Sequence, residues 1–496
     1  MICLDGCSLS SSALAQIAAG AEVELDEAAL ERVAANRAVV DRIVAEGRTV
    51  YGINTGFGQF ATVAIPPDQL QLLQLNLIRS HSAGVGEPIG RTETRALMAA
   101  RINCLLKGHS GIRPEPIRLL AACLNREVLP IIPSQGSVGA SGDLAPLAHM
   151  ALLLVGEGLA WSANGPIPGA QALADAGLQS VVLEAKEGLA LINGTQFITA
   201  LGSLAAERFG RLAALADEVA GLSLEALRGS RAAFDPRIHA ARPHPGQVAV
   251  ADHMRSLLGP TSAIAESHQD CHRVQDAYSL RCIPQVHGVA RDALTFAGAI
   301  LERELNAATD NPMVFTDTGE SRSGGNFHGQ YPAFACDLLA IAAADLASMS
   351  ERRQERLVNP AYSDLPAFLT GRGGLESGFM MAHVTAAALV SEMKGLAHPA
   401  CVDSIPTSAG KEDHVSMGPI AARKLLRAVE ALEQVLAIEA RMALEGLRFI
   451  GLAPGEGLQP LVARLSEACA PWSDRAMYEE IGASLQALRQ HMDSQS

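Results

Sequence analysis

Between Ala421 and Glu445 the chain runs without a glycine or a proline. Leu425, Val429, Leu432, Leu436 and Ala440 recur there at spacings of three and four, with Arg427, Glu430, Glu433 and Gln434 between them. That spacing predicts one helix of about six or seven turns at roughly 3.6 residues per turn, with a single apolar stripe. Such a stripe has to be buried against other elements, and the rest of the sequence offers mainly helices. Leu338, Ala342, Leu346 and Met349 line one face after Asp337, and residues 201–227 are mostly Ala and Leu with Arg and Glu on the other side. A helix starting at Asp26 ends near Glu46-Gly47, and another covers Leu144–Leu154. Strand patterning is scarce, and the run Val181–Leu183 is expected as a small strand. The expected fold class is mainly α, with glycine clusters on the loops.

Composition narrows the class further. Apolar residues make up 48% of the 496 positions but aromatics only 4%, so Ala, Leu, Val and Ile carry the burial, which suits close helix packing. A net charge of -14 with no basic tract argues against nucleic acid or an anionic membrane as partner. The nine cysteines are odd in number and form no C-x-x-C pair, which fits reduced thiols in a cytoplasmic protein. No secretory signal, lipidation tag or run of about 20 apolar residues is expected.

The chemistry is expected on the loops. Gly139-Ala140-Ser141-Gly142-Asp143 holds three small residues in a glycine-rich stretch. The amide nitrogen of Gly142 can approach the carbonyl carbon of Ala140, because no Cβ on Gly142 blocks it. Cyclisation and loss of water from Ser141 would leave an exocyclic methylene on a conjugated five-membered ring, an electrophile that no ordinary side chain supplies. A phosphate loop is excluded because no Lys follows the glycines, and a G-x-S-x-G elbow fails because Asp143 stands two after Ser141. Taken alone, the stretch reads equally as a tight turn before a helix.

Other candidates are similarly two-sided. Tyr51 heads the cluster Tyr51–Gly58, which is a surface loop or a loop carrying a general base if the phenol pKa is lowered. Gln275, Tyr278 and Arg281 lie three apart, so on a helix they share a face, either solvated or turned into a cavity where Arg281 forks a carboxylate. Ser80-His81, Asn193-Gly194, Gly324–Gly329 with Phe327, and Glu412-Asp413-His414 each have a structural alternative. A zinc reading of the last is poor, since H-E-x-x-H is absent.

Together these motifs, in this order between about residues 45 and 450, resemble the histidine ammonia-lyases within the aromatic amino acid ammonia-lyase and aminomutase family. The resemblance implies that Ala140-Ser141-Gly142 matures by itself into methylidene-imidazolone (MIO), and that the chain is a carbon–nitrogen lyase converting L-histidine to urocanate and ammonia. It assigns Tyr51 as base or proton relay, Tyr278 as a second phenol, Arg281 to the substrate carboxylate, and Asn193 and Gln275 to the carboxylate or the MIO oxygen. It gives Phe327 to the pocket wall, and His81 and Glu412 to the imidazole, whose N–H groups need acceptors. It also implies an MIO-bearing N-terminal domain over 1–200 and a helical bundle over 201–496 forming the core of a homotetramer with shared active sites. Tyrosine or phenylalanine lyases and aminomutases of the family are the alternative, and they lack the Glu-Asp-His found here. Gly410-Lys411 stands where many bacterial histidine lyases have Asn-Gln.

Overall fold

The apolar stripe becomes a single helix, Gly418–Ile450, in the computed structural model, which describes residues 1–56, 58–60, 62–269 and 274–495. Phe57 of the Tyr51–Gly58 cluster and Cys271 lie outside the described residues. Leu425, Val429, Leu432, Leu436 and Ala440 are all fully buried. The helix starts earlier than Ala421 because Pro419 sits in its first turn, where a missing N–H breaks no hydrogen bond.

The other expected helices form with similar shifts. They run Glu27–Ala45, Leu144–Leu154, Gln196–Ala226 and Gln330–Val358. Asp26 caps the first by accepting the Ala29 N–H at 2.8 Å. Gln330–Val358 is long and apolar enough to cross a membrane by length and composition, although Asp337 and Asp345 interrupt its apolar run. Yet 61% of its apolar window is buried in the protein, and it carries the fully buried Arg353, forked onto Glu439 at 2.5 and 2.9 Å. It is a core helix.

The strand expected at Val181–Leu183 does not form. Its backbone is satisfied otherwise: the Val181 N–H donates to the Leu154 carbonyl at 2.9 Å, and the Val182 carbonyl accepts from Arg113 Nη2 at 2.7 Å. Among the described residues the named strands form four two-stranded sheets, one parallel and three antiparallel.

The chain forms two compact units. Unit 1 comprises 1–207, 297–337 and 399–423, and unit 2 comprises 208–296, 338–398 and 424–496. The family resemblance predicts a single break near residue 200; each unit gathers three segments. The reason is that long helices carry the chain across the borders at 207, 296, 337 and 423. In unit 1, Val40, Ile43, Ile53, Leu70 and Val314 share one apolar cluster. Ile53 is fully buried in it, and burial of such a side chain stabilises by about 1.5–3 kcal/mol, which pins the loop that follows Tyr51.

Candidate active site

The tripeptide sits in a loop whose two ends are fixed by different means. At its start, strand Pro133–Gln135 pairs with Val85–Pro88, which follows the helix Leu70–His81, so His81 is brought beside the loop. At its end, Gly142 bridges to Gly194, and the Asp143 N–H donates to the Gly194 carbonyl at 2.7 Å. Gly142 has φ +74°, and a Cβ there would run into the Gly194 carbonyl, so position 142 requires glycine twice over. Within the loop, Ser137 Oγ donates to the Gly142 carbonyl at 3.2 Å and accepts the Gly139 N–H at 3.1 Å.

Asp143 locks this end onto the helix Gln196–Ala226. Its Oδ2 accepts the N–H groups of Phe197 and Ile198 at 2.8 and 3.1 Å. Complete burial outweighs those two donors and pushes its pKa up to about 8.

Ser141 faces a cavity of about 920 Å³ whose walls include Tyr51, His81, Asn193, Asn311 and Glu412, all in unit 1. Ser141 Oγ donates to Glu412 Oε1 at 2.9 Å, joining residues 271 positions apart. The second oxygen, Glu412 Oε2, accepts from Thr407 and Ser408 hydroxyls, each at 2.7 Å. Neither hydroxyl stands out in the sequence. A tight loop with left-handed residues at Ser408 (φ +51°) and Ala409 (φ +55°) folds back, and a Thr407–Glu412 bridge closes it.

His81 places Nδ1 at 2.9 Å from the Leu77 carbonyl. A carbonyl only accepts, so Nδ1 carries the proton and the neutral ring keeps Nε2 as an acceptor. Burial holds the ring's pKa below its ordinary value, although the Leu77 carbonyl and the Glu412 charge pull the other way.

Tyr51 is positioned by Gly52, whose φ is +76° and where a Cβ would lie 2.7 Å from Pro312 Cδ and 2.9 Å from Leu189 Cδ2. Burial raises the phenol above its ordinary pKa; a backbone hydrogen bond from Gly58 opposes this and the Glu412 charge adds to it. Service as a phenolate base needs the opposite shift, a lowered pKa.

The remaining expected residues fall elsewhere. Gln275, Tyr278 and Arg281 belong to unit 2 and share no long helix face: the helix there is only Tyr278–Arg281, because Ala277 is extended (ψ 159°) and leaves Gln275 outside it. Gln275 and Arg281 line a cavity of unit 2. Tyr278 is 69% exposed, with the Arg281 guanidinium 4.6 Å over its ring. Phe327 is half-buried in the loop 324–329 and is not among the residues lining the Ser141 cavity. That loop is tied to the cavity through Asn311, whose Oδ1 accepts from Ser323 Oγ at 3.0 Å and the Gly324 N–H at 2.8 Å. The neighbouring His328 stacks on His414 with centroids 5.8 Å apart.

Comparison with known proteins gives this geometry a context. A model of the aromatic amino acid lyases matches residues 9–467. Histidine ammonia-lyase of Anaeromyxobacter dehalogenans is 54% identical over 492 residues, covering 97% of each chain. The crystal structure of histidine ammonia-lyase from Trypanosoma cruzi is 48% identical with a TM-score of 0.92, covering 99% of this chain and 93% of that one. Tyrosine aminomutase from Streptomyces globisporus is as similar in fold (TM-score 0.93, 99% and 98% covered) but only 37% identical. With the match running through both units and the tripeptide at a cavity wall, the chain belongs to the aromatic amino acid lyase family.

Proposed function

We propose that this chain removes ammonia from L-histidine without oxidation, giving trans-urocanate. The observation that carries the reading is the Glu412 carboxylate, set against Ser141 Oγ in one cavity with His81. An imidazole ring brings N–H groups that need acceptors, and Glu412 and His81 Nε2 are acceptors. A phenyl ring has no use for either, which disfavours the phenylalanine lyases and aminomutases; the higher identity to histidine ammonia-lyases disfavours the tyrosine enzymes as well.

The loop fits the prosthetic group that the family uses. Gly142 is held left-handed and tight against Gly194, a conformation that only glycine takes there, and Ser141 stands at the cavity wall. Ala140, Ser141 and Gly142 would form MIO, which supplies an electrophile that activates the substrate for loss of its amine. Loss of Ser141 Oγ as water would release Glu412 Oε1 to accept an imidazole N–H. Thr407 and Ser408 keep the carboxylate in place by holding Oε2. Tyr51, on the cavity wall, is the base or proton relay at the substrate.

Gln275, Tyr278 and Arg281 complete the site from a partner subunit of a homotetramer, Arg281 forking the substrate carboxylate. Phe327 shapes the pocket at that boundary. The working compartment is the cytoplasm, where the scattered thiols stay reduced. Separate incubations with L-histidine, L-tyrosine and L-phenylalanine test the reading. Urocanate from histidine as the main product is expected; cinnamate, coumarate or a β-amino acid as the main product overturns it.

A further inference from the structure

The six-residue helix Glu187–Ile192 in unit 1 is bracketed by two buried polar side chains. Lys186 precedes it, fully buried and left-handed at φ +68°; Asn193 follows it, 3% exposed, on the cavity wall. Both reach across to one short segment. Lys186 Nζ donates to Asp310 Oδ2 at 2.8 Å, and neither side chain touches water. The other oxygen, Asp310 Oδ1, accepts the Asn311 N–H at 2.7 Å. The Asn311 carbonyl accepts Asn193 Nδ2 at 2.9 Å. An unbroken run of contacts therefore leads from a buried cation to a cavity-lining amide.

The last contact fixes the direction of that amide. Turned over, Asn193 would set Oδ1 against the Asn311 carbonyl, two acceptors face to face. As it stands, Asn193 Oδ1 is buried with no hydrogen-bond partner among the described residues. A buried acceptor without a donor is costly unless a ligand provides one. We infer that Lys186 and Asp310 are positioning residues, which through the Asn311 carbonyl hold Asn193 Oδ1 ready to accept an N–H from the α-ammonium of the substrate. The inference rests on the amino acid lyase reading above.

A buried ion pair serves stability alone in many proteins, and exchanging both partners for apolar residues is then close to neutral. That separates the two roles. Lys186→Met with Asp310→Leu removes both charges and also the acceptor for the Asn311 N–H. We expect a folded enzyme that keeps the two-water deficit against its own calculated mass and whose kcat/KM for histidine falls about tenfold or more, while in an Asn193→Ala background the same pair costs less than about twofold. Lys186→Met with Asp310→Asn restores an acceptor and is expected to recover most of the loss. Full activity in the Met/Leu pair, equal losses in both backgrounds, or no recovery with Asn overturns the inference. If the Met/Leu pair does not fold, Lys186→Met with Asp310→Ala, which also lacks the acceptor, measured with and without Asn193 decides by the same coupling. Urocanate release by the parent enzyme is the control: without it the lyase reading fails, whatever the variants do.

Discussion

Two groups of polar residues in this molecule are equally well marked by the family's motifs and differ in what the single chain does with them. Tyr51, His81, Ser141, Asn193 and Glu412 come from five segments and meet in one cavity of unit 1, with hydrogen bonds that leave little freedom. Gln275, Tyr278 and Arg281 come from one segment of unit 2 and are loosely held. Tyr278 is exposed, and Arg281 Nε has no hydrogen-bond partner among the described residues. The difference teaches that closeness in sequence is a poor guide to a shared site. The first group is organised by packing within one chain; the second is not.

Breaking either group should therefore stop the enzyme, and doing so in separate chains should not. Glu412→Gln and Arg281→Ala are each expected to lower histidine turnover by about a hundredfold or more while the chain stays folded, as steady-state kinetics and circular dichroism would read. Mixed assemblies from co-expressed Glu412→Gln and Arg281→Ala chains are expected to regain a sizeable part of the parent activity. No recovery would mean that both residues serve a site within one chain.

A second prediction sharpens the account of the first group's rigidity. Asp143 has a pKa of about 8 in the folded protein against 3.8 ordinarily. A carboxyl that binds its proton more tightly when folded stabilises fully below the unfolded value, and that contribution is lost as pH rises to the folded one. Melting temperature should thus fall between about pH 4 and pH 8 by an amount that Asp143→Asn removes. An unchanged slope in the variant would place the proton elsewhere.

The smallest effect concerns Gly410-Lys411. Gly410 is exposed at φ +79° with nothing within 4 Å of a built Cβ, and asparagine tolerates that conformation. Gly410→Asn with Lys411→Gln is expected to change kcat/KM by less than about threefold. A larger change would show that this loop does more than carry Glu412.

Much of the fold is legible in the sequence because its helices are long and their apolar period survives local noise. Leu425 to Ala440 can be buried on one side in only one way. Val181–Leu183 forms no strand: a short apolar run has no period, and its backbone bonds go to Leu154 and Arg113, which no local pattern reveals. At the site, the residue types at 51, 81, 141, 193 and 412 are legible, but the partners that tune them are not. Thr407 and Ser408 reach Glu412 only through a left-handed turn, and the raised Tyr51 pKa comes from burial, which sequence order does not display.

The Gly142–Gly194 clamp holds the loop in which Ala140-Ser141-Gly142 is proposed to close on itself. The intact mass of the purified chain tests that closure most directly. A deficit of two waters, about 36 Da, is expected, localised to the peptide spanning residue 141 and absent in Ser141→Ala, which should also have lost nearly all turnover. A parent chain at its full calculated mass that still releases urocanate from histidine would contradict it.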